Sequence, residues 1–338
     1  MKPKLYKIII ALSALLLSMS FAAAQQKDKV KEKAQEQEQE QVLKHVSSMA
    51  ADPAVVITIC LESGDITING GDRREVRVSA EDGKKVTLRR AENSNASTPA
   101  TRLEALVSDA DNQAPVVSGD CLGASDMALE VPRGATVYVT TRDGDIDVSN
   151  VAEVRAESSS GAVSVAHVVR EVEAASIDGD ISVEESSGRM HLRSFSGAIE
   201  VVNAKMVEQN DFLEVKTTSG DVRLENVAQP HVEVNTLSGE VTLSGALARG
   251  GFYDLKTVSS DITLNMPESV VFQLTAKVSQ GGEVITDFPL KYTGEMNNMK
   301  NSVYAISAGK ISGTYGTGAA SSTINLVSFN GTLRLRKQ

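Results

Sequence analysis

Two apolar residues separated by a single residue recur about every nine positions over most of this chain. Residues i and i+2 of a strand face the same side, so each copy predicts a short strand with one buried face. The copies are most regular over residues 135–265, where they begin at Val137, Ile146, Val154, Val163, Val172, Ile181, Met190, Ile199, Leu213, Val222, Val232, Val241, Tyr253 and Ile262. Earlier copies begin at Ile57, Ile66, Val76 and Val86.

Tight polar turns with a central glycine lie between alternate copies of this pattern. The glycines are Gly64, Gly144, Gly161, Gly179, Gly197, Gly220 and Gly239. We predict that they adopt the positive φ that such turns require. Two units make a coil of about 18 residues, which is too short to bury a core unless coils stack.

The spacing therefore predicts an all-β fold, a parallel β-solenoid (β-helix) with two short strands per coil. The alternative is an antiparallel β-sandwich, in which strand and loop lengths vary more than they do here.

Three regions of different composition divide the chain. Residues 1–24 are typical of a signal peptide, because three lysines precede a short apolar run and an Ala-Ala-Ala segment. That run is shorter than the about 20 residues that span a bilayer, so we expect no stable membrane insertion after cleavage. Residues 25–53 are rich in Gln, Glu and Lys and predict a polar tether. Residues 54–338 form the predicted solenoid domain, with an irregular C-terminal cap at 266–338.

The charge balance limits the partners of the chain. With 44 acidic and 34 basic residues, its formal net charge is −10. Such a balance argues against nucleic acid and anionic membrane surfaces, which both demand basic patches. Together with the signal peptide, it indicates an exported protein that is located in the periplasm, at the cell surface or outside the cell as a secreted protein.

Cys60 and Cys121 are the two cysteines of the sequence. An even number of cysteines in an exported chain is compatible with a disulfide, and two small buried thiols are the alternative.

No motif predicts a catalytic, cofactor or metal site. Carboxylates beside the turn glycines could hold calcium, but the intervening turns carry Ala162 and Ala198, which favours hydrogen bonds from the side chains to the turn backbone. Those carboxylates are Asp143, Asp145, Asp178 and Asp180. The histidines lack metal-ligand spacing; they are His45, His167, His191 and His231. The outward residues Glu200, Arg223, Thr242 and Thr263 are mixed in type.

Several segments of the chain resemble a family of exported bacterial proteins that is labelled a putative adhesin domain of unknown function. They are Ser63-Gly64-Asp65-Ile66-Thr67-Ile68, Ser219-Gly220-Asp221-Val222-Arg223-Leu224, Leu129-Glu130-Val131-Pro132-Arg133-Gly134 and the closing segment 318–335. The resemblance covers about residues 54–338. It implies a β-solenoid and an adhesive role, and it supplies no catalytic residues. One departure is Ser259-Ser260-Asp261, where serine replaces the turn glycine.

The sequence thus predicts a non-enzymatic cell-envelope solenoid. We expect its outer faces to bind an envelope protein, a surface polysaccharide or a second copy of the chain. One alternative is a glycan-active enzyme with a site in residues 91–127 or 281–318. The other is a purely structural periplasmic spacer.

Overall fold

The computed structural model describes residues 46–80, 84–91, 98–108, 121, 123–292, 305–318 and 322–338. The predicted signal peptide and residues 25–45 of the predicted tether lie outside this set. The described residues form 25 strands and no helix. The strands are β1 (Val46–Ser63), β2 (Ile66–Gly71), β3 (Glu75–Ala80), β4 (Lys85–Arg90), β5 (Ala100–Ser108), β6 (Met127–Pro132), β7 (Thr136–Asp143), β8 (Ile146–Ser149), β9 (Glu153–Ser158), β10 (Val163–Ala166), β11 (Glu171–Ser176), β12 (Ile181–Glu184), β13 (Arg189–Ser194), β14 (Ile199–Val202), β15 (Phe212–Lys216), β16 (Val222–Glu225), β17 (His231–Asn235), β18 (Val241–Ser244), β19 (Phe252–Thr257), β20 (Ile262–Met266), β21 (Phe272–Thr286), β22 (Lys291–Tyr292), β23 (Ala305–Tyr315), β24 (Ser322–Ser328) and β25 (Leu333–Lys337).

Two parallel stacks of strands run through the domain. One contains β7, β9, β11, β13, β15, β17 and β19, and the other contains β8, β10, β12, β14, β16, β18 and β20. Inward side chains of both stacks meet in one core. Val172 and Ala174 from β11, with Ile181 and Val183 from β12, are all at most 1% exposed. Burial of each large apolar side chain contributes about 1.5–3 kcal/mol, provided that the neighbouring coils cover it. The predicted parallel β-solenoid is confirmed.

The turn glycines are required for a different reason from the one predicted. Only Gly64 and Gly144 have positive φ, at 120° and 150°. The prediction of positive φ is wrong for the other five. There, a Cβ atom would lie 1.8–2.0 Å from the carbonyl oxygen of the glycine one coil earlier. The backbones of successive turns are therefore in direct contact, and only glycine fits between them.

Buried hydroxyls connect these turns. The Oγ of Ser176 accepts a hydrogen bond from the Gly179 amide at 2.8 Å and donates to the Gly161 carbonyl of the preceding coil at 3.1 Å. Four further hydroxyls accept the same bond from the glycine three residues later; they belong to Ser158, Ser194, Thr217 and Thr236. Ser158, Ser194 and Thr217, like Ser176, also donate to the carbonyl of a glycine one coil earlier, so these four hydroxyls link the turn of their own coil to the preceding one.

Aspartates add a further coil-to-coil hydrogen bond beside the glycines. Asp145 Oδ1 accepts the Ala162 amide and Asp180 Oδ1 accepts the Ala198 amide, both at 2.8 Å. This is the backbone role that we predicted for these side chains. The turn at Ser260 keeps the arrangement, because Asp261 accepts the Thr332 amide at 2.6 Å.

A second column of turns has left-handed residues at one equivalent position per coil. Their φ values are 48–59°, and they are Asn150, His167, Glu185, Asn203 and Asn226. Asn226 Nδ2 donates to Asn203 Oδ1 at 3.1 Å, so side chains in this column also bond from coil to coil. Asparagine tolerates this conformation better than most residues.

The N-terminal boundary of the domain lies earlier than predicted. Strand β1 begins at Val46, and Val46–Ala50 pairs antiparallel with β3. The predicted tether therefore ends by residue 45, and the boundary at 54 is wrong. A polar segment that pairs with a distant antiparallel strand leaves no nine-residue period in the sequence. The copies at Val76 and Val86 are likewise antiparallel strands rather than coils.

The outermost coils are out of chain order at both ends. In space, β5 and β6 lie outside β1 and β2, which precede them in sequence. At the other end, β24 and β25 lie between the β19–β20 coil and β21. The antiparallel strands β4 and β23 then pair with the outermost strands β5 and β21. Exposed sheet edges are thereby covered by the chain itself.

Replacing Gly179 by alanine tests the contact between turns. Its Cβ would lie 1.9 Å from the Gly161 carbonyl oxygen, so we expect Gly179→Ala to lower the free energy of unfolding by about 3 kcal/mol. The measurement is denaturant unfolding followed by circular dichroism. The control is Gly71→Ala, because no atom lies within 4 Å of its Cβ position. Equal stability of the two variants would contradict close contact between turns.

Replacing His167 by asparagine tests the strain in the left-handed column. His167 is exposed and has a φ of 57°. Because asparagine adopts this conformation at lower cost, His167→Asn should raise the free energy of unfolding by about 0.5–1 kcal/mol. Val169→Asn, two residues later and outside the column, should bring no such gain. A loss of stability in His167→Asn would show that the imidazole makes a stabilising contact.

Candidate binding groove

Four rings gather on the outer face of the first stack, across β13, β15, β17 and β19. Phe212, His231 and Phe252 occupy equivalent positions on neighbouring strands, each directly before an inward residue. The His231 and Phe252 rings stack with centroids 5.2 Å apart, and the His191 ring packs edge-on against Phe212 at 4.6 Å. Together they form an aromatic strip on a chain in which aromatic residues are only 4% of the total.

A loop beside the strip turns this face into a groove. Nine residues separate β14 from β15, whereas four separate β12 from β13. The extra residues form a turn held by the buried Asp211, whose Oδ2 accepts the amides of Val207 and Glu208 at 2.7 and 2.8 Å. Gln209 and Asn210 of this loop line one side of a cavity of about 630 Å³, and Pro230 and Gly250 also line it. We call this cavity, together with the adjoining aromatic strip that includes Phe252, the ring groove.

Three carboxylates lie in a row beside the rings, and two of them, Glu214 and Glu233, line the cavity. Glu214, Glu233 and Asp254 are in register on β15, β17 and β19. Glu214 contacts Lys216 Nζ and lies 2.7 Å from His191 Nδ1. The hydrogen bond from Lys216, followed by the one from His191, lowers the pKa of Glu214 although partial burial opposes the shift. Glu214 is therefore ionised at neutral pH.

Glu233 differs from its two neighbours in its charge environment. Its Oε1 accepts a hydrogen bond from Asn235 Nδ2 at 2.8 Å. Among the described residues, no cation lies within ion-pair distance of Glu233, whereas Asp254 pairs with Lys256 at 2.6 Å. The groove therefore offers a carboxylate that is free to accept hydrogen bonds from a ligand.

The ring groove combines flat apolar surfaces with hydrogen-bonding oxygens and amides. The described residues of its lining include the pair formed by His191 and Glu214. No group of three metal-ligating side chains is found in the described part of the chain. The ring groove thus places ring surfaces beside carboxylates and side-chain amides.

Sequence reasoning did not identify the ring groove. We placed the alternative enzymatic site in residues 91–127 or 281–318, whereas the groove lies within the regular array. Two signals were available: the longer interval before Phe212, and the repeated placement of a ring directly before the first core residue of three coils.

The structure brings the predicted cysteines together. Cys60 and Cys121 form a disulfide with Cα atoms 4.5 Å apart and a sequence separation of 61. The disulfide attaches β1 to the segment that precedes β6.

A family model matches residues 57–305, which is most of the repeat region, under the description Toastrack DUF4097. The chain belongs to the Toastrack DUF4097 family. No curated protein matches it. The resemblance seen in the Ser-Gly-Asp segments is thereby confirmed, and the Toastrack family is itself a domain family without an assigned function.

Three solved structures are similar to this Toastrack chain. A putative adhesin from Parabacteroides merdae is 11% identical, with a TM-score of 0.43, covering 66% of this chain and 88% of that one. A putative adhesin from Parabacteroides distasonis is also 11% identical, with a TM-score of 0.37, covering 66% and 89%. A putative cell adhesion protein from Clostridium sporogenes is 10% identical, with a TM-score of 0.25, covering 87% and 100%. At these scores the similarities carry no argument about function.

In the described residues, no helix has the length and apolar character needed to cross a bilayer.

The disulfide can be tested by alkylation. We expect the purified chain to take up no iodoacetamide under denaturing, non-reducing conditions and two equivalents after reduction, as measured by mass spectrometry. Because the bond closes a loop of 61 residues, the double variant Cys60→Ala/Cys121→Ala should lose about 2–4 kcal/mol of stability. Alkylation of both thiols without reduction would contradict the bond.

Proposed function

We propose that this Toastrack protein is an exported, non-enzymatic binding protein that holds a surface polysaccharide in its ring groove. The observation that carries the proposal is the concentration of rings at one place. Phe212, His231 and Phe252 lie on successive strands, and such strands are about 4.8 Å apart. This step is comparable to the length of one hexose unit, so the exposed parts of successive rings have the spacing of successive sugars.

The lining of the groove suits both faces of a sugar. A pyranose presents C–H groups on its flat faces, which pack on aromatic rings, and hydroxyl groups around its edge. The Glu214 and Glu233 carboxylates accept hydrogen bonds from hydroxyls, and the Asn210 amide both donates and accepts. Charged acceptors give stronger hydrogen bonds than neutral ones. A neutral, hydroxylated ligand therefore fits better than an anionic one.

Three observations support an exported, non-catalytic role. Residues 1–24 are typical of a signal peptide, and the Cys60–Cys121 disulfide is a bond that persists in oxidising compartments. In addition, Glu214 is held ionised by Lys216 and His191, whereas a general acid for glycoside hydrolysis needs a raised pKa. The proposed location is the periplasm or the cell surface.

Binding to a glycan array tests the proposed function. We expect the purified chain to retain a neutral polysaccharide or oligosaccharide, and Phe252→Ala to weaken that binding about threefold to tenfold through loss of one stacking surface. The Phe252 side chain is 39% exposed, so the variant should fold normally. Tyr138→Ala is the matched control, because Tyr138 is a 41% exposed ring on the same face, on β7.

The fate of the ligand separates the proposal from its alternatives. Each retained glycan is recovered after overnight incubation and weighed by mass spectrometry. An unchanged mass supports the binding role, whereas a cleaved ligand would replace it with a glycan-active enzyme. If no glycan is retained, or if Tyr138→Ala weakens binding as much as Phe252→Ala, the ring groove is not a polysaccharide site. Complete absence of a ligand would favour a structural spacer.

A further inference from the structure

A second surface feature lies at the glycine turns, which connect each strand of the first stack to the following strand of the second stack. The residue after each buried hydroxyl points outward, and in six successive coils these residues are Ile177, Phe195, Thr218, Leu237, Val258 and Phe329. The Ile177 carbonyl accepts the Ser196 amide at 2.9 Å and the Leu237 carbonyl accepts the Ser259 amide at 3.0 Å. Adjacent members are therefore one strand spacing apart. We call this column the apolar ridge.

The apolar members of the ridge are well exposed. Their exposed fractions are 53% for Ile177, 57% for Phe195, 48% for Leu237, 40% for Val258 and 47% for Phe329. Eleven large apolar side chains of the described residues are exposed in this way, and five of them lie in this one column. Single exposed apolar residues are ordinary on protein surfaces, but five in one column, interrupted by Thr218, are typical of an interaction surface.

Opposite charges flank the two sides of the ridge. The outward residues at the end of the first stack include Arg193, Lys216 and Lys256, each two residues before its ridge position. Beyond the turn, on the other side of the ridge, lie Asp180, Asp221 and Asp261, each three residues after its ridge position. Lys216 and Asp221 thus belong to the same coil, as do Lys256 and Asp261. On the first-stack side the other three coils carry the uncharged Ala175, Asn235 and Val327, and the three cations also pair with Glu214 or Asp254. The residues next to the ridge are therefore basic or uncharged on one side and mainly acidic on the other.

This charge pattern is complementary to itself in one orientation. When two copies meet ridge to ridge with a two-fold axis parallel to the solenoid axis, the basic side of each copy faces the acidic side of the other. When the axis is perpendicular to the solenoid axis, the basic sides face each other and repel. The parallel arrangement also keeps the coils of both copies level, because both ridges have the same strand spacing.

We propose that the apolar ridge is the contact surface of a homodimer in which two copies pair in parallel about such an axis. The apolar column supplies the attraction, and the flanking charges select the orientation. The ridge extends over five steps of about 4.8 Å, or about 24 Å. With both flanks it covers roughly 500 Å² per copy, which is less than the about 800 Å² of a standard stable interface. The dimer is therefore reversible, with a dissociation constant in the micromolar range.

Sedimentation equilibrium over a range of protein concentrations tests the proposal. The full chain is expressed, and the purified protein is measured. We expect a monomer–dimer equilibrium that the double variant Phe195→Asp/Leu237→Asp weakens at least about tenfold, because each charge would be buried in the contact. Circular dichroism checks that the variant is folded. Val169→Asp is the matched control, because Val169 is 53% exposed and lies outside the ridge. Phe252→Ala should leave the dimer unchanged, which separates this test from that of the ring groove.

Single cysteines test the orientation. In the parallel dimer each ridge residue faces its own counterpart, so Ile177→Cys and Phe329→Cys should each cross-link to itself with a short bismaleimide. In the antiparallel arrangement Ile177 would face Phe329, and cross-linking would need a mixture of the two variants. Val169→Cys should not cross-link in either arrangement.

Three results would overturn the proposal. The first is a chain that stays monomeric up to about 100 µM, which is beyond the micromolar range expected here. The second is a dimer that Phe195→Asp/Leu237→Asp leaves intact. The third is cross-linking only in the mixture of Ile177→Cys and Phe329→Cys. A monomer that instead binds lipid vesicles through the ridge would assign this surface to a membrane.

Discussion

The contact between successive glycine turns determines how the coils of this protein can stack. Gly161, Gly179 and Gly197 lie so close to the carbonyl of the previous turn that no side chain fits. At the same corner, hydroxyl and carboxylate side chains satisfy the amides and carbonyls of adjacent turns. Polar backbone at the corner is thus paired within the structure rather than with water. A corner of this kind fixes the level of each coil, and the register of both stacks follows from it.

Much of this fold could be predicted because its core repeats in sequence. The apolar pairs beginning at Val163, Ile181 and Ile199 are in register on adjacent strands, as their constant interval indicated. The role of the glycines was misjudged, because the need for a small residue arises from the coil below and not from the φ of the turn itself. The strand pairing at the two ends of the domain could not be predicted either. The antiparallel pairs of β1 with β3 and of β21 with β23 do not follow the nine-residue repeat.

The ring groove and the apolar ridge differ in how they arise. The groove depends on an irregularity, the longer loop held by Asp211, which breaks the repeat beside Phe212. The ridge arises from regularity, because one exposed position per coil is repeated from Ile177 to Phe329. The ridge could therefore be found from the sequence by aligning the exposed positions of successive coils in the same way as the buried ones. The ring groove could not be found in this way, because it depends on the contacts of a loop that interrupts the repeat.

The inserted coil at the C-terminal end has a consequence for the order of folding. Strand β21 precedes β24 and β25 in the chain, yet it reaches the rest of the array only through them. The regular coils can add to one another one at a time as a chain emerges, because each contacts its predecessor. Strand β21 cannot, and together with β23 it must wait until β24 and β25 have filled the gap. Completion of this end is therefore a late, long-range step, and until then the edge of β19 is open to other chains.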